Sequence, residues 1–340
     1  MCMDIIHDYG IIEKNKRGDI VEIREFAEKM TAEAEKIIIG KRDRIELIIM
    51  ALLADGHILI EDMPGVGKTT LVKVLALASG CSSKRVQFVP DLLPSDITGL
   101  NIYDQKSGEF RLLRGPVFTN MLLADEINRA VPRTQSALLE AMEEKRVTID
   151  GESMKLEKPF MVMATQNPVE SESTFRLPAA QMDRFLIRIS MGYPDAEEEK
   201  RMLMTLGDDM SFDCVNTVSD PETIVQLRKK AMETELCSSV AEYIVALTTA
   251  TRSFPGLAMG ASPRASRALY RASKAWAAMH GRSFVTPDDV KYLAPFVLSH
   301  RLMLSGEARL SGLKAESVIN SILEKTPVPP GKGRIFDAKE

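Results

Sequence analysis

His57-Ile58-Leu59-Ile60-Glu61-Asp62-Met63-Pro64-Gly65-Val66-Gly67-Lys68-Thr69-Thr70 is the stretch on which the fold turns. It opens with a short apolar run of the kind that fills a strand buried on both faces. Two glycines and a lysine then make a tight loop, after which helical patterning runs to Gly80. Strand, glycine loop and helix in that order form a phosphate cradle. Gly65 and Gly67 let backbone N–H groups turn inward, and the helix adds its positive N-terminal end. Lys68 reaches the β and γ phosphates of a nucleotide, and Thr69 offers a hydroxyl to Mg²⁺. The nucleotide-binding candidates are Asp62, Met63, Pro64, Gly65, Val66, Gly67, Lys68, Thr69 and Thr70. The usual loop opens on glycine; here that position is Asp62, whose side chain is expected to point away from the phosphates.

Upstream, Ile23, Phe26, Ala27, Met30 and Ala34 recur at helical spacing between Val21 and Ile38, and Gly40 breaks the pattern. A second helix passes through Ile45, Leu47, Ile48 and Leu52 to stop at Asp55-Gly56. Residues 1–20 show little periodicity and read as a lead-in. Downstream, strands are expected at Arg85 to Val89, Met121 to Ala124, Phe160 to Thr165 and Phe185 to Ser190, with a helix over Pro132 to Lys145. Strands apolar on both faces and alternating with helices predict a parallel sheet wrapped by helices, an α/β domain over 21–192. Asp150-Gly151 between two β-prone runs predicts a hairpin. Beyond Tyr193-Pro194-Asp195 only helical patterns appear, with starts at Ser262-Pro263-Arg264 and Thr286-Pro287-Asp288-Asp289, so 193–325 reads as all-helical. Residues 326–340 read as a stiff proline- and glycine-rich tail.

Composition narrows the class. At 340 residues, 45% hydrophobic and 27% charged, the chain has the balance of a soluble protein of two domains. Its net charge of −4 is spread without a basic block, so no nucleic-acid partner is expected. The longest apolar run, Leu47 to Ala54, is under half a membrane span, and the acidic start lacks a signal pattern. Cys2, Cys81, Cys214 and Cys237 show no paired spacing, which speaks against disulfides and structural zinc. A cytoplasmic protein without membrane insertion is the expectation.

Further candidates lie at strand ends. Met121-Leu122-Leu123-Ala124-Asp125-Glu126 ends a buried strand in two acids, at the sheet edge shared with the phosphate loop. Asp125 there suits Mg²⁺, held through water, and Glu126 suits a general base for the attacking water. Taken alone such a run is as often a plain strand end; beside Lys68 it gains force. Asn167 follows the next apolar strand, where an amide can orient that water; Asn167-Pro168 reads equally as a turn start. An arginine on a γ phosphate speeds transfer by about 10³–10⁵. Arg184, in Gln181-Met182-Asp183-Arg184-Phe185, and Arg264, at a helix start of the second domain, are candidates, although composition alone favours a surface ion pair for each.

Taken together, the motifs resemble the AAA+ ATPases, and within them the MoxR family closely. The resemblance rests on the loop from Asp62 to Thr69, on Leu122 to Ala130, Thr134 to Met142, Ala164 to Pro168 and Gly260 to Ala265, and on Gly99 to Gly115. It spans residues 25–325 and implies a P-loop AAA+ core followed by an all-helical lid domain. By it, Lys68 and Thr69 are Walker A residues, Asp125 and Glu126 Walker B, and Asn167 sensor 1. Arg264 resembles sensor 2, carried by the lid onto bound nucleotide. Arg184 resembles the arginine finger that reaches the next subunit, with Arg176 and Arg129 as alternatives. The family also implies ATP and Mg²⁺ as ligands, an insert at 99–115 and a hairpin at 146–157 on a ring's central face, and a homo-oligomer of six. It implies a chaperone-like role on protein complexes, with partners that carry a von Willebrand factor A domain. Two alternatives stand beside it: a nucleic-acid motor, disfavoured by the acids Asp150 and Glu152 between Arg146 and Lys155, and a slow ATP-gated scaffold.

Overall fold

The computed structural model describes residues 3–63, 65–167, 175–206 and 211–329. Helices α1 (Met3–Glu35) and α2 (Arg42–Leu53) lead into β1 (Ile58–Glu61), and α3 (Lys68–Ala78) follows the glycine loop. Next come β2 (Ser83–Gln87), the short α4 (Pro94–Thr98), and a hairpin of β3 (Gly99–Asp104) and β4 (Glu109–Arg114). Then follow β5 (Met121–Asp125), α5 (Pro132–Glu144), and a second hairpin of β6 (Arg146–Ile149) and β7 (Glu152–Lys155). Strand β8 (Met161–Gln166), the short α6 (Ala179–Met182) and β9 (Ile187–Ile189) complete this half.

The main sheet has the order β2-β5-β8-β1-β9, and every neighbouring pair is parallel. Side chains on successive strand residues point to opposite faces, and the core divides accordingly. Ile58, Ile60, Met121, Leu123, Met161 and Met163 face a layer containing α1, α2 and α3. Leu59, Leu122, Ala124, Val162 and Ala164 face α5 and the base of the second hairpin. That double burial is why β5 and β8 read as continuous apolar runs. Truncating one such side chain, Leu123→Ala for example, costs about 2–5 kcal/mol.

The second half comprises α7 (Ala196–Leu206), α8 (Pro221–Met232), α9 (Ser238–Arg252), β10 (Leu257–Met259), α10 (Pro263–Met279), α11 (Pro287–Leu298), β11 (Met303–Leu304), α12 (Gly306–Leu310) and α13 (Ala315–Lys325). Both expected helix starts occur. Ser262 accepts the N–H of Arg264, and Thr286 and Asp289 form a reciprocal capping box. This half is helical with one addition absent from the sequence reading. Strands β10 and β11 pair as a short antiparallel ribbon, too brief to leave a periodic signal.

Two further differences concern the ends. The helix expected from Val21 begins at Met3, so the expected lead-in is helical backbone. The tail lies outside the described residues from 330 onward. Helix α1 packs against α2, α3, α8 and α10, burying Ile23, Phe26, Ala27, Met30 and Ala34, and so ties the two halves together. A second tie is Asp55, just past α2, which meets Lys145 from the core and Arg228 and Arg271 from the helical half. Burial alone would raise the Asp55 carboxyl, but Arg228 and Lys145 leave it below its ordinary value.

Candidate functional site

The site grows from the carboxyl ends of β1, β5 and β8, which parallel pairing brings to one edge. After β1 the chain turns through Gly65 (φ 86°) and Gly67 (φ 78°), both in the left-handed region. A methyl group at either would meet nothing within 4 Å, so glycine is needed there for backbone conformation, not for space. Lys68 opens α3, and its Nζ donates to the carbonyl of Asp62 at 3.3 Å. Thr69 is exposed beside it. Pro64 lies outside the described residues.

Asp62 does point away, as expected, and it has a task of its own. Its carboxylate accepts from Ser190 Oγ at 2.6 Å and from the backbone N–H groups of Met191 (2.6 Å) and Gly192 (3.1 Å). The side chain therefore belongs to the end of β9, and only the backbone carbonyl of Asp62 faces the lysine.

At the end of β5, Asp125 accepts from Arg85 through Nε (3.1 Å) and Nη2 (2.8 Å) and from Thr165 Oγ1 at 2.6 Å. The same Thr165 hydroxyl accepts the N–H of Glu126 at 2.8 Å. One buried hydroxyl on β8 thus fixes both acids of β5. Glu126 adopts a left-handed backbone (φ 56°), which turns its side chain out of the strand. There its Oε2 accepts from Gln87 Nε2 at 2.7 Å and pairs with Arg129 Nη1 at 2.9 Å. Asn167 is buried just beyond β8, at the level where Asp62 N–H donates to Gln166.

A cavity of about 570 Å³ opens beside this edge, within the range of small-molecule sites. Gly65, Val66, Gly67 and Thr70 line it together with Ile37, Ile38 and Ile39, Met191 to Pro194, and Met202 and Leu203 of α7. Lys41 Nζ donates to Tyr193 O (3.0 Å) and Glu198 Oε2 (3.4 Å), closing the α1–α2 turn onto the start of α7.

Arg184 and Arg264 lie elsewhere. Leu186 N–H donates to His57 O and Ile187 is in register with Ile58, so Arg184 sits where β1 begins. Strand β1 has four residues at about 3.3 Å each, which sets about 13 Å between that edge and the glycine loop. Arg184 Nη2 pairs with Glu143 Oε2 at 2.9 Å, and its Nη1 donates to Leu139 O at 2.6 Å. Arg264 pairs with the other oxygen of Glu143. Both line a second, smaller cavity with Gly56, His57, Lys145, Arg267 and Arg271. The resemblance has the lid carry Arg264 onto bound nucleotide; here α10 docks its first turn on the end of α5, at the sheet edge opposite the chain's own glycine loop. The surface ion pair that composition favours is present for both arginines, and on one shared carboxylate.

His57 underpins that edge. Its Nδ1 accepts the N–H of Val162 at 3.0 Å, so Nε2 carries the proton and donates to Met142 O at 3.1 Å. Burial pushes it down to about 4, and it stays neutral.

The sequence reading missed Arg85, Gln87, Thr165, the turn at 37–41 and Glu143. Gln87 and Thr165 could have been found, since each ends or nearly ends a strand on the site edge. For Glu143 and the turn there is no local signal.

Residues 57–187 match the family model of the ATPase family associated with various cellular activities (AAA), and residues 249–322 match that of the AAA lid domain. The chain is 48% identical to the uncharacterized protein YeaC of Bacillus subtilis, over 88% of this chain and 94% of that one. It is 40% identical to the chaperone MoxR1 of Mycobacterium tuberculosis, over 89% and 82% respectively. Identity to the protein MoxR of Methylorubrum extorquens is 30%, over 91% and 97%. A crystal structure from Cytophaga hutchinsonii, 36% identical, superposes with a TM-score of 0.87 over 94% of this chain and 100% of the other.

Proposed function

The chain belongs to the MoxR family of AAA ATPases, and on that premise we propose that it works as a ring in which each bound ATP is completed by the next subunit. As a member of that family it binds and hydrolyses ATP. One observation carries the ring: Arg184 and Arg264 share Glu143 at the edge away from the chain's own glycine loop. Arginines so placed serve a phosphate arriving from a neighbour. Six subunits are the number the family resemblance implies.

Within one site, the loop N–H groups and Lys68 hold the phosphates, and the turn at 37–41 and α7 enclose the base. The hydroxyl of Thr69 and the carboxylate of Asp125 are hard oxygen donors that fit Mg²⁺. An ion held by these residues would supply neutralising charge to the nucleotide's phosphates. Arg85 and Thr165 engage both Asp125 oxygens and orient the carboxylate, which would hold the ion through water. Glu126 takes the proton of the attacking water, and Asn167 orients it. Gln87 and Arg129 engage Glu126, so the attacking water competes with both for that carboxylate.

The work coupled to hydrolysis is remodelling or maturation of a protein complex. The relative named as a chaperone supports this, as does the first hairpin, which exposes Tyr103 and Phe110 in edge-to-face contact at 5.4 Å. Asn101 on that hairpin donates to Asp150 on the second at 2.9 Å, so the two present one surface. A client with a von Willebrand factor A domain is the partner class the family implies.

Turnover per chain against protein concentration tests the ring. It should rise as particles grow and be lost in Arg184→Ala at every concentration. A flat profile accompanied by monomeric mass would overturn the reading.

A further inference from the structure

Glu143 stands between two cations that would otherwise repel. Arg184 Nη2 meets its Oε2 at 2.9 Å, and Arg264 Nη2 meets its Oε1. The two arginines come from different halves of the molecule, Arg184 from the loop before β9 and Arg264 from the first turn of α10. The residue before Arg184 repeats the pattern. Asp183 accepts from Ser262 Oγ at 2.7 Å, and Ser262 caps α10 two residues before Arg264. The other Asp183 oxygen accepts from Arg301 Nε at 2.7 Å. Arg301 also donates to the carbonyls of Asp183, Phe185 and Leu186, so the loop carrying Arg184 is gripped by the lid on both sides of that residue.

We propose that Glu143 is a positioning residue that holds Arg184 and Arg264 side by side as one two-armed receptor for the neighbouring subunit's terminal phosphate. This rests on the reading that both arginines act across the subunit boundary. Glu143 itself is an anion and has no attraction for a phosphate. Each guanidinium has five N–H donors and gives only part of its fork to the carboxylate, leaving the remainder for the incoming oxygens. Holding the pair together before the nucleotide arrives removes the cost of bringing two like charges to one place during the reaction. It also explains how one carboxylate at the end of α5 couples lid position to catalysis: if α10 swings away, both arginines lose their common anchor.

The test compares Glu143→Ala, Glu143→Asp, Arg184→Ala and Arg264→Ala in the full chain at a concentration where the wild type is assembled. Glu143→Ala should lower kcat about tenfold or more, since small misplacements of such groups are costly, with KM for ATP and affinity for a fluorescent ADP within about twofold of wild type. Glu143→Asp should recover part of the loss. The decisive arm mixes Glu143→Ala with Glu126→Gln subunits. The first has an intact phosphate loop and general base, and the second has correctly held arginines. Their mixture should turn over faster than either alone, a recovery that a misfolded Glu143→Ala chain could not give. Absence of that recovery, or a Glu143→Ala turnover equal to or above wild type, overturns the proposal. If Arg184→Ala also turns over normally, the cross-subunit reading falls with it; if Arg184→Ala is slow while Glu143→Ala is not, only the positioning role falls.

Discussion

The buried carboxylate of Asp62 accepts the backbone N–H of Met191 at 2.6 Å, joining the first residue of the phosphate loop to the strand end that leads into the lid. Ser190 and Gly192 complete the clasp. Asp62→Ala leaves two backbone donors without this partner and should cost about 2–3 kcal/mol in urea unfolding. Because Met191 and Gly192 line the same cavity as Gly65 and Gly67, ADP affinity should fall in parallel. Unchanged stability would show that the clasp is replaceable.

Glu126→Gln keeps the shape of the side chain proposed as general base and removes its basicity. Steady-state turnover should drop about 10²–10⁴-fold while ATP still binds. Lys68→Ala, in contrast, should abolish retention of labelled ATP on filters. A Glu126→Gln protein that turns over at the wild-type rate would remove Glu126 from the mechanism.

Thr165→Val is nearly isosteric and deletes the hydroxyl that bonds both Asp125 and Glu126. The Glu126 N–H is left without that acceptor, so about 1–3 kcal/mol of stability should be lost. A fall in kcat larger than the loss of ATP affinity should accompany it, because the two acids are no longer held to β8. Calorimetry together with a kcat and KM split checks both halves of the expectation.

His57 gives a pH dependence with a definite sign. In the unfolded chain its ring has the ordinary value of 6.5, and in the fold it lies at about 4. Between those values the unfolded chain binds a proton that the native chain does not, so its contribution is complete above pH 6.5 and is lost as pH falls toward 4. The size is on the order of 3 kcal/mol. His300, also buried and held low, acts in the same direction. Urea midpoints at pH 7.5 and pH 5 should therefore differ less in His57→Gln than in the wild type.

The sheet and the nucleotide edge were legible in the sequence because they depend on local order. An apolar run long enough for one strand, followed by its motif, places that motif at the strand's carboxyl end. Parallel pairing then gathers all such ends. The strand-end positions of Lys68, Asp125, Glu126 and Asn167 follow from this; the edge at which Arg184 lies was not read from the sequence. The ribbon of β10 and β11 was not legible, since a few residues carry no measurable period.

By itself, then, the sequence determined the α/β core, the glycine loop and the acids at the same sheet edge, through backbone requirements and hydrophobic periodicity that act within a few residues. Tertiary structure alone decided where Arg264 sits. Its place depends on α10 packing against α8 and, more than two hundred residues away in the chain, against α1 and α2, contacts that no local pattern encodes. Pairing of β1 with β9 gave Asp62 its partners, and the meeting of α10 with the loop before β9 made Glu143, an unmarked residue in the last turn of α5, the contact of two arginines.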